Sequence, residues 1–296
     1  MKHIFYAKLD FTFNKYIELC KKMLQSDHAI LTVEQYFLLD EKPQKFIIIR
    51  HDIDDEIDLS YALKMAKVEA KLGIRTTYYF RTSEKVFDED KIKEIAKFGH
   101  EIGYHYEVLG DAEGDFEKAI ELFEKELSKF EDLYEVKTIA QHGGPLRKGL
   151  NIVTFSNIIE VLKYFISGDN IFDSWESKDI WERYDFRDYG IIGEPYLSID
   201  FNEVVYLSDT NRSWIDTKYR MKDRIESECG KKMAIKKTDD LILSIKEGAF
   251  QKIHVLIHPS NWKEKFVEWL RWLLLQQVRN TGKMVLMLYL GAKRKS

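Results

Sequence analysis

From residue 46 onward, short apolar runs alternate with segments whose apolar residues recur every three or four positions. The runs have the length of strands buried on both faces, and the segments between them have the period of helices packed on one side. This alternation predicts parallel strands joined by right-handed crossovers, in an α/β domain whose sheet is open or closed into a barrel. The predicted strands comprise residues 46–49, 76–80, 101–104, 137–140 and 254–257. The predicted helices comprise residues 58–72, 90–98, 115–133, 239–246 and 262–279.

Other parts of the chain have a different or weaker pattern. The first 45 residues predict two helices, Thr12–Gln25 and Thr32–Leu39, each with a threonine in the position that caps a helix N-terminus. The weaker predictions are a helix near Ser156–Phe165 and strands over Tyr196–Ile199, Val204–Leu207 and Met284–Leu290.

The composition narrows the classes of protein to which the chain can belong. Its 296 residues include 46 Lys and Arg against 50 Asp and Glu, a net charge of −4 that argues against a broad nucleic-acid-binding surface. Cys20 and Cys229 are far apart in sequence, which excludes a disulfide scaffold. The N-terminal residues lack the pattern of a secretion signal, and no apolar stretch approaches the ~20 residues that span a bilayer. We therefore expect a cytoplasmic protein with no nucleic-acid partner and no membrane span.

Polar side chains follow five of the predicted strands. They comprise Arg50–Asp55, His105–Glu107, Gln141–Pro145, Ser208–Asp209 and His258–Trp262. Functional groups of parallel α/β sheets and barrels collect at the carboxyl ends of the strands, so we expect these residues to converge on one face. Carboxylate and imidazole ligands together suit Zn²⁺ or a similar divalent metal.

Each of these stretches also has a simpler interpretation. His51-Asp52 could form only a turn, and Arg50 could neutralise the neighbouring carboxylates without a metal. His105 alone is typical of a hydrogen-bonded core histidine, and His142 could belong to a tight turn with the glycines that follow it. Their joint placement at strand ends favours the metal site.

These stretches together resemble the polysaccharide deacetylase family, the NodB-homology carbohydrate esterases. Arg50-His51-Asp52-Ile53-Asp54 is similar to the first motif, in the Arg-His-Asp-Val-Asp form of members associated with surface-polysaccharide gene clusters. Gly99–His105 is similar to the segment that leads into the second motif, Ser208-Asp209 with Trp214 to the fourth, and Leu256–His258 to the fifth. The resemblance implies a distorted (β/α)7 barrel over residues 46–296, with residues 1–45 as an N-terminal helical extension, and a divalent metal, usually zinc.

The resemblance also implies roles for individual residues. The two acids of the first motif divide into a general base and a metal ligand, and the order of the motif suggests Asp52 as the base and Asp54 as the ligand. His258 matches the general acid of the family. Asp209 matches the residue that orients or tunes the catalytic base.

The second motif departs from the family pattern. His105 fits its first metal-binding histidine, but the second histidine falls on Leu109, which cannot bind a metal. We expect His142 to be the third metal ligand, and Glu107 is the alternative. The side chains of a sugar-binding surface would then be Glu107, Tyr106, Trp214, Asn261 and Trp262, although ordinary core packing explains the aromatic ones equally well.

The function implied is a metal-dependent hydrolase that removes an acetyl group from an N-acetylated sugar or a surface-polysaccharide precursor. Metal-dependent hydrolysis of a phosphoester is a second interpretation, because His-Asp pairs also build phosphohydrolase sites. A third is a sugar-binding protein that keeps the fold and has lost the reaction, which Leu109 favours and the pairing of Asp52 with His258 disfavours.

Overall fold

The computed structural model describes residues 9–143, 178–214, 225 and 235–293 of the chain. The strands are β1 (Ala29–Leu31), β2 (Phe46–Ile53), β3 (Thr77–Phe80), β4 (Glu101–Tyr106), β5 (Ile139–Gln141), β6 (Val205–Ser208) and β7 (Lys252–Ile257). The α-helices are α1 (Phe13–Leu24), α2 (Val33–Leu38), α3 (Glu56–Leu72), α4 (Glu89–Lys97), α5 (Val108–Asp111), α6 (Phe116–Leu127), α7 (Pro195–Ser198), α8 (Thr238–Lys246) and α9 (Phe266–Lys293). The predicted α/β alternation is confirmed for these residues.

The strands form one sheet in which every pairing among the described residues is parallel. Its order is β5-β4-β3-β2-β7-β6, and β1 adds to β2 outside this path. Strands β2 to β5 are successive neighbours, β7 lies between β2 and β6, and this is the strand order of a barrel that is open between β5 and β6. At that opening, a single bridge joins Thr138 to Gly193 in the described chain. The structure therefore supports a parallel α/β sheet of barrel type, without showing a closed seven-stranded barrel.

The N-terminal segment contributes a strand as well as helices. Residues 29–31 pair with the first half of β2, along the same edge whose second half pairs with β3. The two helices begin as predicted, because the side chains of Thr12 and Thr32 accept hydrogen bonds from backbone N–H groups of the first turn. β1 could not be predicted from the sequence, since three residues between two helices are too short to show a period.

Two predicted strands are wrong. Tyr196–Ile199 lies mostly in α7, where Pro195 takes the first helical position and the carboxylate of Glu194 accepts from the backbone N–H of Leu197. Met284–Leu290 lies within α9, which continues to Lys293. An apolar run of this length is compatible with either a strand or a helix, so the spacing of its apolar residues could not distinguish between them. The predicted helix near Ser156–Phe165 lies outside the described residues.

The alternation of side chains along β2 decides which residues reach the interior of the curled sheet. Ile47 and Ile49 pack outward with the helices, in the cluster that α1 and α8 cover. Arg50 and Asp52 point to the opposite face, where Ile48 packs below them. All eight residues of β2 are buried, so each polar side chain on it needs a partner inside the protein.

The lower part of this interior is filled by a tyrosine that lies against a glycine. The Tyr79 hydroxyl hydrogen-bonds to the Thr138 hydroxyl at 2.8 Å, and the ring of Tyr79 lies against Gly103. A Cβ at position 103 would overlap that ring and lie 2.9 Å from the backbone oxygen of Thr138. The glycine therefore allows Tyr79 to lie across the sheet below the polar residues of β2.

We expect Gly103→Ala to lower the free energy of unfolding by about 1–3 kcal/mol, because the added methyl group must displace the Tyr79 ring or the β5 backbone. Urea unfolding followed by circular dichroism measures the change. Gly110→Ala is the matched control, since the nearest atom to its added Cβ is a side-chain carbon of Glu107 at 3.7 Å. Equal stability of the two variants would contradict the close packing.

Candidate metal centre

The site begins at the carboxyl end of β2, where two acids follow a buried arginine. The guanidinium of Arg50 donates to Asp52 Oδ2 at 3.0 Å and to the Tyr196 hydroxyl at 2.5 Å. Its central carbon also lies 4.4 Å from the centre of the Tyr196 ring. Burial by itself would lower the pKa of Arg50, but Asp52 and the neighbouring tyrosines raise it well above its ordinary value. Arg50 is therefore a fixed positive charge beside Asp52.

Three imidazoles surround Asp54, which follows Asp52 at the mouth of the sheet. His105 Nε2 lies 3.2 Å from Asp54 Oδ1. His142 Nε2 and His258 Nε2 lie 3.6 Å and 3.7 Å from Asp54 Oδ2. The strand-end expectation is met for these residues, because His105 near the end of β4 meets residues that directly follow β2, β5 and β7.

The other nitrogen of each imidazole faces an acceptor. His105 Nδ1 lies 2.8 Å from the backbone oxygen of Ala140. His142 Nδ1 lies 3.1 Å from a carboxylate oxygen of Glu107, and His258 Nδ1 lies 2.7 Å from one of Asp209. An acceptor at Nδ1 favours the tautomer with its proton there, which leaves the Nε2 lone pair directed toward Asp54.

Three of these side chains could hold a metal ion. One ligand atom from each of Asp54, His105 and His142 lies within 4.8 Å of the other two. A carboxylate and two imidazoles form a ligand set that suits zinc and related divalent metals, and acceptors at Nδ1 are the usual outer partners of metal-binding histidines. The chemistry and orientation of these residues therefore fit a divalent metal.

Glu107 lies beside this group as a partner of His142. Its carboxylate also forms an ion pair with Arg81. Burial would raise the pKa of Glu107, but the charges of His142 and Arg81 outweigh it and lower the pKa to about 2. Burial would lower the pKa of His142, and Glu107 and Asp54 outweigh it and raise that pKa. Glu107 is thus ionised at neutral pH and orients His142.

Asp209 holds His258 from a fully buried position. One of its carboxylate oxygens accepts from the backbone N–H of His258 at 3.0 Å and contacts Nδ1 of the same residue. The other oxygen accepts from the indole N–H of Trp262 at 2.8 Å. The amide of Asn261 donates to the backbone oxygen of Asp209 at 3.0 Å. These contacts fix the His258 ring in one orientation.

The structure does not bring most of the predicted sugar-binding side chains to an open surface. The buried ones are Tyr106, Trp214, Asn261 and Trp262. The Tyr106 hydroxyl donates to Asp179 at 2.8 Å behind the sheet, because adjacent residues of a strand point to opposite faces and His105 points inward. Trp214 stacks on Phe11 in the core. Glu107 alone of the five predicted residues keeps a quarter of its side chain exposed.

Sequence reasoning missed three residues that support the site. Arg81 comes directly after β3, so the rule about strand ends could have found it. Asp58 accepts from the backbone N–H of Ser260 at 2.7 Å and so holds the loop that carries His258. Glu194 accepts from the backbone N–H of Gln141 at 3.1 Å, next to His142, and burial raises its pKa to about 8. The contacts of Asp58 and Glu194 join distant segments and leave no signal in the sequence.

The chain has only weak similarity to known proteins. No protein-family model and no curated protein matches the chain. Among solved structures, the chain is similar to a mutant of a CE4 family pseudoenzyme with restored enzymatic activity, at 14% identity and a TM-score of 0.36. The similarity covers 81% of this chain, which spans 64% of the length of that one. A likeness at this level establishes neither a family nor an activity for the chain.

We expect His105→Ala to lose bound metal, because the variant removes one of three ligands that lie within reach of one another. Elemental analysis of the purified protein after incubation with zinc measures the metal per chain. His28→Gln is the matched control, since His28 contacts the backbone oxygen of Phe250 before β7, at the opposite end of the sheet. Full zinc content in His105→Ala would rule out the proposed ligand set.

The raised pKa of Asp58 predicts that the stability of the metal-free protein depends on pH. Burial, followed by the charges of Asp55 and Asp54, raises the pKa of Asp58 to about 7 from an ordinary value of 3.8. Between these values the folded state holds a proton that the unfolded chain has lost, so stability falls as pH rises. The loss between pH 4 and pH 8 amounts to at most about 4 kcal/mol.

We expect Asp58→Asn to remove this dependence, because an amide does not ionise and still accepts from Ser260. Urea unfolding in the presence of a chelator, at several pH values between 4 and 8, measures the slope for both proteins. The variant should be the more stable protein at pH 8. An unchanged slope in Asp58→Asn would show that another group titrates.

Proposed function

We propose that the protein is a metal-dependent hydrolase that removes the acetyl group from an N-acetylated sugar or a surface-polysaccharide precursor. The observation that carries the proposal is that a candidate base and a candidate acid flank a candidate metal-ligand set. Asp52 Oδ2 lies 3.5 Å from His105 Nε2, and His258 Nε2 lies 3.7 Å from Asp54 Oδ2. A protein that only bound sugar would have no use for this pairing.

Asp54, His105 and His142 would hold the metal, for which zinc is our expectation. When bound, such an ion supplies an acidic water as nucleophile and relieves negative charge on the acetyl oxygen. His105 belongs to β4, and Asp54 and His142 directly follow β2 and β5, so the sheet itself sets their spacing.

Asp52 is the proposed general base. Its Oδ2 atom accepts from Arg50, whereas its Oδ1 atom is buried and has no hydrogen-bond partner among the described residues. The positive charge of Arg50 lies beside this carboxylate. Oδ1 therefore is the atom that takes the proton of the attacking water.

His258 is the proposed general acid. The resemblance assigns Asp209 to the catalytic base, but its carboxylate contacts His258, so we propose it as the positioning residue of the acid instead. The carboxylate of Asp209 fixes the proton of His258 on Nδ1 and stabilises the imidazolium when Nε2 also carries a proton. Nε2 faces Asp54 and can then pass that proton to the nitrogen that leaves as the amide bond breaks. An amine is a poor leaving group unless it is protonated, so this transfer is required.

The substrate class follows from the reaction and the resemblance. We propose a carbohydrate substrate in the cytoplasm, handled by a catalytic domain over residues 46–296 with residues 1–45 as its extension. Arg81 and Glu107 are both about a quarter exposed beside the ligand group and are the charged residues that such a substrate would meet first.

A sugar-binding protein without activity is the second candidate. The observation in its favour is that Leu109, in place of the usual ligand, is buried in an apolar cluster. His142 replaces the missing histidine in the proposed ligand set, so both an enzyme and a sugar-binding protein would have three candidate ligands.

We expect the zinc-loaded protein to release acetate from one or more N-acetylated amino sugars, supplied free, as oligomers and linked to a nucleotide. His258→Ala should lower kcat by about 10²–10⁴-fold, because it removes the proton donor while leaving the metal ligands in place. Enzymatic assay of acetate measures turnover, and elemental analysis confirms retained zinc; His28→Gln is the control for the loss of a histidine elsewhere.

Two results would contradict the proposal. Full turnover in His258→Ala would remove that residue from the reaction. Sugar binding by the zinc-loaded protein, equal in His258→Ala and without acetate release from any sugar of the panel, would favour the binding protein.

A further inference from the structure

Helix α9 presents an apolar row on its outer side. Val267, Leu270, Leu274 and Val278 are separated by three or four residues, which places them on one side of the helix, and they are 38–59% exposed. The opposite side contacts the protein, for example through buried Trp272. A helix on the surface of a globular protein normally presents polar side chains to the solvent, and the exposed apolar row of α9 departs from this pattern.

The same part of the chain concentrates positive charge. Residues 269–296 contain six Lys and Arg and no Asp or Glu, whereas the other 268 residues contain 40 basic and 50 acidic residues. The basic residues are Arg271, Arg279, Lys283, Lys293, Arg294 and Lys295. This asymmetry is a feature of segments that contact anionic surfaces.

The C-terminal part of α9 adds a third feature. Met284–Leu290 are seven consecutive apolar residues in a helix of 28 residues, which has a length of about 42 Å. In the described residues, no helix combines the length and apolar character needed to cross a bilayer. An apolar row with basic residues in the same helix is instead typical of helices that lie along the lipid–water interface.

We propose that the outer side of α9 docks on an anionic lipid surface, with its aliphatic row among the acyl chains and the exposed Arg271 at the headgroups. A second copy of the chain fits less well, because pairing through this face would bring two strongly basic segments together. A nucleic acid would match the charge but not the aliphatic row. This inference goes beyond the proposed hydrolase and does not depend on it.

Sedimentation of the full chain with phospholipid vesicles tests the proposal. One set of vesicles consists of phosphatidylcholine, and the other contains about one third phosphatidylglycerol as the anionic lipid. We expect at least about tenfold tighter binding to the anionic vesicles at low salt, and weaker binding as the salt concentration rises.

The matched variants are Leu274→Glu and Leu243→Glu. Leu274 is 59% exposed in the apolar row, and Leu243 is 51% exposed on α8, so neither substitution disturbs the core. Leu274→Glu should weaken binding to anionic vesicles at least about tenfold, and Leu243→Glu should leave it unchanged. Circular dichroism verifies that both variants are folded.

Three outcomes would overturn the proposal. Equal binding of both variants to the vesicles would show that the apolar row is not inserted. Absence of binding to either kind of vesicle would exclude a lipid surface as the partner. A dimer in light scattering that Leu274→Glu dissociates, without vesicle binding, would identify a second copy as the occupant.

Discussion

The negative charge of two acids at the carboxyl end of β2 is the constraint on which the rest of the site depends. Asp52 lies on the interior side of β2, whose residues are all buried, and an unpaired carboxylate there is strongly unfavourable. Asp54 follows the strand, and 15% of its side chain is exposed. Arg50 compensates Asp52 from two residues earlier on the same face of the strand. Asp54 is surrounded by three imidazoles, an arrangement that also suits a metal ion.

The imidazoles are held by residues from separate parts of the fold, so the site requires the sheet to be assembled. The acceptors at Nδ1 are a backbone oxygen of β5, a carboxylate after β4 and a carboxylate after β6. Asp209 is itself fixed by Trp262, and the His258 loop is fixed by Asp58. A change in the packing of the strands would therefore alter the orientation of the rings before it removed any of them.

Sequence reasoning was most successful with polar residues at strand ends and least successful with aromatic residues. His105, His142 and His258 converge on Asp54 as expected, because parallel strands end at the same edge of a sheet. Tyr106 and Trp214 do not reach this edge. An aromatic side chain suits a sugar surface and a core equally well, so its type carries no information about which it joins.

By itself, the sequence determined the features that depend on neighbouring residues. These include the parallel α/β alternation, the helix starts at Thr12 and Thr32, and the placement of acids and histidines where strands end. Only the tertiary structure decided that residues 29–31 form a strand, that residues 284–290 continue a helix, and which nitrogen of each imidazole faces Asp54. The physical reason is that hydrogen-bond partners for short or ambiguous segments, and acceptors for a ring nitrogen, come from residues distant in the chain.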